Sequence, residues 1–257
     1  VPLGARERPM LRLGVIGGTG TAQLFGAGEV LELEPGRWGS VSAPLQRYRF
    51  GPAEVLFLAR HGTPAGPTIP PHRINYRANL WAFRELGVEQ VLGINAVGGI
   101  TPAATPGRLV IPDQLIDYTW GREQTYTGND VFPLQHVDFT LPFSQSLRDR
   151  LLAAAKASAL DLVPTGTYAA TQGPRLETAA EIDRLERDGC DVVGMTAMPE
   201  AGLARELNIA YAICCVVVNR AAGRNPGGES IHAEITASLG SGMADVQRLV
   251  TGLLAAH

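Results

Sequence analysis

A chain of 257 residues, 45% of them apolar and 18% charged, is long enough to bury a substantial core as one large α/β domain. Its net charge of -3 supplies no basic stripe for nucleic acid, and it lacks the run of about 18 apolar residues that a membrane-spanning helix needs. Three cysteines and five histidines, with no Cys-x-x-Cys or His-x-x-x-His spacing, give no metal-ligand set.

The first ten residues, VPLGARERPM, lack the apolar core of a signal peptide. They read as an extended segment ahead of a single domain at 11–257, and a cytoplasmic protein is expected. Apolar runs at 11–16, 54–59, 90–95, 109–116, 167–170, 191–195 and 209–218 predict strands. Cys214 and Cys215 lie within the last run, pointing to opposite faces, which favours a structural over a redox role.

Helical patterns separate these runs. One spans about 72–86, after Pro70 and Pro71 and before a stop at Gly87. The next starts at Ser144, a good N-cap residue, with Leu147, Leu151 and Leu152 on one face. Thr178 and Glu181 are spaced as a capping box for a third, which ends at Gly189 and leaves Glu177 outside its first turn. A fourth begins at Pro199, placing Thr196 just ahead of its N-terminus. The last carries Ile231, Ile235, Leu239, Met243, Val246 and Val250 as an apolar stripe. Strands alternating with helices indicate an α/β sheet covered by helices.

Four strand ends offer groups for an anion. The first strand runs into Gly17-Gly18-Thr19-Gly20, where backbone N–H groups and the Thr19 hydroxyl can approach a phosphate. Arg60 and His61 follow the second strand, and an Arg there can fork two N–H groups onto phosphate oxygens; a solvated Arg beside a bystander His is the competing reading. Asn95-Ala96 precedes the glycines at 98 and 99, and Thr196 completes the set. A nicotinamide-binding loop is the alternative from another class. Gln23 stands where that fingerprint needs Gly or Ala, although Glu32 and Glu34 lie at the right distance for a ribose contact.

GGTG at 17–20, RHG at 60–62, INYRANLWAF at 74–83, NAVGGI at 95–100, GPRLETAAE at 173–181 and GMTAMPE at 194–200, in that order, resemble the trimeric purine nucleoside phosphorylase and methylthioadenosine phosphorylase family. The resemblance covers about 11–254. It implies a mixed, partly barrel-like sheet flanked by helices, and phosphorolysis of a nucleoside with inorganic phosphate as co-substrate and no metal or organic cofactor. It further implies a homotrimer acting on a small purine nucleoside, with no nucleic-acid or membrane partner. By resemblance, Thr19, Arg60, His61, Ala96 and Thr196 hold phosphate with Asn95 close by, and Met195 packs under the ribose. Asn219, Arg220 and Ala221 line the base, and Leu176 stands where relatives often place Phe. His136 is similar to a residue lent to the neighbouring subunit's site, with a plain surface histidine as the alternative.

Glu177 and Asn219 are the catalytic and base-recognition candidates. A carboxylate at 177 accepts N1–H of a 6-oxopurine but faces adenine N1 lone pair to lone pair. Adenine-specific relatives typically carry a small hydroxyl residue at 177 and Asp-x-Asp at 219–221. At the sugar end, the position that binds a 5′-hydroxyl in inosine phosphorylases matches Ile231, and His232 is one residue away. Helical spacing pairs Ile231 with Ile235, which favours an apolar 5′ pocket. The expected reaction is conversion of S-methyl-5′-thioinosine to hypoxanthine and 5-methylthioribose 1-phosphate. A general inosine/guanosine phosphorylase and a methylthioadenosine phosphorylase are the alternatives within the family.

Overall fold

The computed structural model describes residues 11–18, 20–21, 24–225, 227 and 230–256. The strands are β1 (Arg12–Gly17), β2 (Glu29–Leu31), β3 (Leu45–Phe50), β4 (Ala53–Ala59), β5 (Gln90–Gly99), β6 (Leu109–Val110), β7 (Gln114–Asp117), β8 (Leu162–Val163), β9 (Thr167–Ala170), β10 (Val192–Gly194) and β11 (Ala210–Arg220). The helices are α1 (Tyr76–Glu85), α2 (Gln145–Ala157), α3 (Ala179–Arg187), α4 (Ala197–Glu206) and α5 (Ile231–Ala255). The extended segment expected at 1–10 lies outside the described residues.

Alternation along the central strands separates two cores. Leu13, Val15, Leu92, Ile94, Cys214 and Val216 face one side, where Val246 and Leu249 of α5 and Leu147 and Leu151 of α2 cover them. Ile16, Leu58, Val91, Ile213, Cys215 and Val217 face the other, with Leu80 and Phe83 of α1 and Leu203 of α4. Cys214 and Cys215 are therefore buried in different cores; both are free thiols. Burial pushes the Cys214 thiol up to about 12, as expected for inert packing groups.

The sheet forks at β5. Its first half lies between parallel β1 and parallel β11. The β1 ladder stops at Gly17↔Ile94, and antiparallel β10 joins only at Gly98 and Gly99. Asn95, Ala96 and Val97 keep β11 on one side and have no strand on the other. A sheet that splits at the carboxyl ends of its parallel strands opens a crevice there. The ladders also trace a ring: β5 pairs β11, β11 pairs β6, the β6–β7 segment leads to β9, β9 pairs β10, and β10 returns to β5. This closed half is the barrel-like part; β4, β3 and β2 extend from β1 as an open wing.

Local signals fix most boundaries. The Thr178 hydroxyl accepts from the Glu181 backbone N–H and the Glu181 carboxylate accepts from the Thr178 N–H, completing the capping box. Ser144 and Ser230 cap α2 and α5 through their side chains. The expected 72–86 helix is shorter: Pro71–Arg73 forms a 3₁₀ turn and Asn75, accepting from Ala78 N–H, caps α1. The run at 109–116 is two strands, because Pro112 cannot donate to a ladder. Met198, at φ -116° and ψ 137°, interrupts α4, whose regular turns start at Pro199.

Candidate active site

The fork opens into a cavity of about 660 Å³. Its walls are the segments that follow parallel strands: Gly18 and Gly20 after β1, Arg60 and His61 after β4, Asn95 to Gly98 in β5, Met195 and Thr196 after β10, and Val218, Asn219 and Ala221 along β11. Glu177 and Leu176 enter from the loop before α3. The α5 stripe divides along its length: Ile231, Ile235 and Leu239 face the cavity, while Met243, Val246 and Val250 continue into the core.

One end is built for an anion. Asn95 Nδ2 donates to Thr196 Oγ1 at 2.8 Å, so the Thr196 hydroxyl keeps its own proton for a ligand oxygen. Thr196 N–H lies 3.4 Å from the Tyr168 hydroxyl. That ring packs so closely under Gly194 that a Cβ there would fall 2.1 Å from its oxygen. Ala96 is half-buried at the cavity wall. Thr19 lies outside the described residues.

Arg60 departs from the expected fork. Its side chain is fully buried, and its partner is Glu200, not solvent or an open anion site. Nε donates to the carboxylate at 3.0 Å and Nη2 at 2.8 Å; Nη2 also reaches Ile16 O at 3.3 Å and Nη1 reaches Ile94 O at 3.2 Å. Five N–H groups thus leave one, on Nη1, for the cavity. Burial alone disfavours the charged guanidinium, but the adjacent carboxylate overrides it and holds the Arg60 pKa above its usual value. The Tyr211 hydroxyl donates to the same carboxylate at 3.1 Å. Two ionised groups out of water require this degree of pairing.

His61 is held by the carbonyl of Ile69, 2.8 Å from Nδ1. A carbonyl only accepts, so Nδ1 carries the proton and Nε2 is the nitrogen left for a ligand. Burial, the largest influence, lowers the His61 pKa; the Ile69 bond opposes it and the Arg60 charge adds to it.

The opposite end carries complementary polar groups. Thr171, one residue past β9, donates to Glu177 Oε1 at 2.7 Å, which leaves Oε2 for a ligand donor. Asn219 is buried, and its Nδ2 donates to the carbonyl of Arg220 at 2.7 Å. Its Oδ1 and second N–H remain. A bulge between Val217 and Asn219, opposite Val97 and Gly98, breaks the alternation that would have turned Asn219 into the core with Val217. Val218 and Asn219 both line the cavity as a result. Met195 forms wall between the two ends, and Leu176 is 42% exposed at the rim.

The remaining expected residues divide between the cavity wall and the surface around it. Arg220 does not line the cavity; its backbone N–H donates to Glu234 Oε2 at 2.7 Å, fixing the start of α5 to the end of β11. His136 is exposed and lies outside this subunit's own cavity, as a residue serving a neighbouring subunit would. Ile231 is half-buried in the wall, while His232 is exposed and not part of it. Glu32 and Glu34, the ribose candidates of a dinucleotide site, are exposed and also outside. Among the described residues, no three His, Cys, Asp or Glu side chains gather as metal ligands, and no helix is long and apolar enough to cross a membrane.

Sequence reasoning missed Thr171, Tyr168 and Glu200. Glu200 sits in the first turn of α4, where an acid is ordinarily read as complementing the helix dipole. Only the tertiary fold brings it to Arg60, 140 positions earlier.

Comparison with known proteins agrees with this geometry. Residues 12–255 match the model of the phosphorylase superfamily. The chain is 48% identical over 243 residues to a probable S-methyl-5′-thioinosine phosphorylase of Pseudomonas syringae pv. tomato, covering 94% of this chain and 98% of that one. It is 42% identical over 246 residues to a 6-oxopurine nucleoside phosphorylase of Pyrococcus furiosus, covering 94% and 91%. A methylthioadenosine phosphorylase from Schistosoma mansoni in complex with adenine superposes with a TM-score of 0.87 at 28% identity, over 95% of this chain and 91% of that one. With the match running from the first residue of β1 to the last of α5, the chain belongs to the phosphorylase superfamily, as an enzyme of the purine nucleoside phosphorylase type.

Proposed function

We propose that the protein cleaves S-methyl-5′-thioinosine with inorganic phosphate, giving hypoxanthine and 5-methylthioribose 1-phosphate, without a metal or organic cofactor. The observation that carries this reading is the pairing of Glu177 at one end of the cavity with Ile231, Ile235 and Leu239 along its α5 wall. With Oε1 already accepting from Thr171, Glu177 Oε2 meets the N1–H of a 6-oxopurine. Against adenine it would face a lone pair, leaving buried polar groups unmatched at a cost of about 1–3 kcal/mol each. The apolar α5 wall suits a methylthio group in place of a 5′-hydroxyl.

Chemistry follows from the spacing of the two ends. As the C1′–N9 bond breaks, its electron pair leaves with the purine and positive charge develops on the ribosyl ring. A phosphate held at Thr196, Ala96, the free Nη1 N–H of Arg60 and His61 Nε2 stabilises that charge and then bonds to C1′. Thr19 joins this set by resemblance. Met195 packs under the ribose. The proton that hydrogen phosphate loses on becoming the C1′ ester balances the one the purine gains at N7 through water, with Asn219 Oδ1 accepting from N7–H and its spare N–H donating to O6. The Arg60–Glu200 pair contributes direction and little net charge, so most of the electrostatic work falls to phosphate itself.

The proposed assembly is a homotrimer in which His136 reaches a neighbouring subunit's cavity. It is supported by the exposure of apolar side chains on the same segment, Trp120 at 73% and Leu134 at 68%. A reducing cytoplasmic setting is proposed with it, in keeping with three unpaired buried cysteines among the described residues. Incubation with S-methyl-5′-thioinosine tests the reaction: hypoxanthine should appear in proportion to added phosphate, and release at the same rate without phosphate would make the protein a hydrolase instead.

A further inference from the structure

Arg122 belongs to the loop after β7 and does not line the cavity, yet its guanidinium lies directly behind it. Nη1 donates to the carbonyls of Met195 at 2.7 Å and Met198 at 2.6 Å. Nη2 donates to those of Gln172 at 2.9 Å and Thr171 at 3.2 Å. The Tyr76 hydroxyl is 3.3 Å from Nη1 and itself donates to the carbonyl of Pro71 at 2.9 Å. The guanidinium carbon sits 5.7 Å from the Tyr76 ring centre.

These acceptors share one property: each belongs to a segment that presents a group to the ligand. Met195 and Met198 bracket Thr196 at the anion end. Thr171 holds Glu177 at the base end. The β9–β10 ladder ends at Ala170↔Gly194, with one further bond from Thr171 N–H to Gly194 O at 2.8 Å. Beyond that rung, Arg122 bridges the two chains as they leave the sheet. A planar guanidinium can donate along two edges at once with fixed separation; an ammonium cannot.

We infer that Arg122 is a positioning residue, a fork that sets the distance between the Thr171–Glu177 pair and the Met195–Thr196 segment and thereby aligns base recognition with the ribose and phosphate ends. Misplacement of reacting groups by about 1 Å can cost on the order of a hundredfold in rate. Loss of the fork should therefore act on substrate affinity and base choice together.

This inference rests on the phosphorolysis reading, and wild type measured alongside separates the two. The test compares wild type, Arg122→Lys and Arg122→Ala in steady-state assays with S-methyl-5′-thioinosine, methylthioadenosine and phosphate, and titrates phosphate into each protein by calorimetry. Arg122→Ala should raise KM for both nucleoside and phosphate and lower kcat/KM about ten- to a hundredfold. Its preference for the 6-oxo base should shrink, and millimolar guanidinium ion should restore part of the loss. Arg122→Lys should recover less than half of it. A wild type that releases no base contradicts the phosphorolysis reading, and the phosphate titrations then decide the inference alone. Folded variants with wild-type KM values, base preference and phosphate affinity, differing only in the amount of active enzyme, would overturn it. If Arg122→Ala does not fold, the same outcome in Arg122→Lys overturns it.

Discussion

Thr171 Oγ1 donates to Glu177 Oε1 at 2.7 Å, so the carboxylate enters the cavity with one oxygen already satisfied and the other directed to a single further donor. The Thr171 backbone N–H donates to the carbonyl of Gly194 at 2.8 Å, which ties the carboxylate to β10 as well as β9. Replacing Thr171 by Val keeps the shape and removes the donor. Folding stability should fall by about 1 kcal/mol, while kcat/KM for 6-oxopurine nucleosides falls about tenfold with little change for 6-aminopurines. Parallel assays on the two base classes check this.

Changing Glu177 to Ser and Asn219 to Asp together should move preference toward adenine. The carboxylate that repels the adenine N1 lone pair is then gone, and the new one accepts the N6 amino donor. The ratio of kcat/KM for methylthioadenosine to that for S-methyl-5′-thioinosine should rise by at least about a hundredfold. An unchanged ratio would remove both residues from base recognition.

Arg60 and Glu200 have side chains 1% exposed each. Glu200→Gln retains the shape but leaves a buried guanidinium without its counter-charge, and should cost about 3–5 kcal/mol in urea unfolding. Phosphate KM should rise as well, since the Nη1 N–H is aimed by the other four. A variant as stable as wild type would mean that the pair does not fix Arg60.

The depressed pKa of His61 makes stability depend on pH in one direction. The unfolded histidine titrates near about 6.5, the folded one lower. Between these values the unfolded chain binds more protons, so the His61 contribution is complete above the unfolded pKa and is lost as pH falls toward the folded one. His61→Gln should flatten that slope in denaturation curves across mildly acidic pH. Because Nδ1 already donates to Ile69, the neutral ring offers Nε2 as an acceptor for the O–H of hydrogen phosphate. Its lowered pKa favours that neutral form, so binding of hydrogen phosphate should leave the calorimetric heat independent of buffer ionisation enthalpy.

At the sugar end, His232→Ala should leave kcat/KM within about twofold, because the side chain is exposed. Ile231→Ser should reduce the advantage of a methylthio over a hydroxyl substituent by about five- to thirtyfold, the worth of burying one or two apolar groups. Competition between inosine and S-methyl-5′-thioinosine measures it.

The contrast between Ile231 and Arg60 marks how far the sequence could be read. Ile231 was legible because a helix of known phase places Ile231, Ile235 and Leu239 on one face, and the face alone decides what they touch. The caps at Ser144 and Thr178 were legible for the same reason: their partners lie within three residues. Arg60 was legible as a cavity residue but its Glu200 pairing was not, because Glu200 reaches it only through the packing of α4 and Tyr211 only through β11. The fork at β5 was hidden too, since Asn95 to Gly99 continue the strand through residues that read as a glycine loop. The wing strands β2 and β3 escaped because their half-exposed residues lack an apolar run, and Arg122 because backbone carbonyls leave no pattern in a sequence.

Phosphate-dependent base release from inosine, adenosine, S-methyl-5′-thioinosine and methylthioadenosine, measured side by side, tests the central claim most directly. Glu177 with Thr171 and the Ile231 wall predict the highest kcat/KM for S-methyl-5′-thioinosine, inosine behind it, and both adenine nucleosides far lower. Equal or faster turnover of methylthioadenosine would contradict that account.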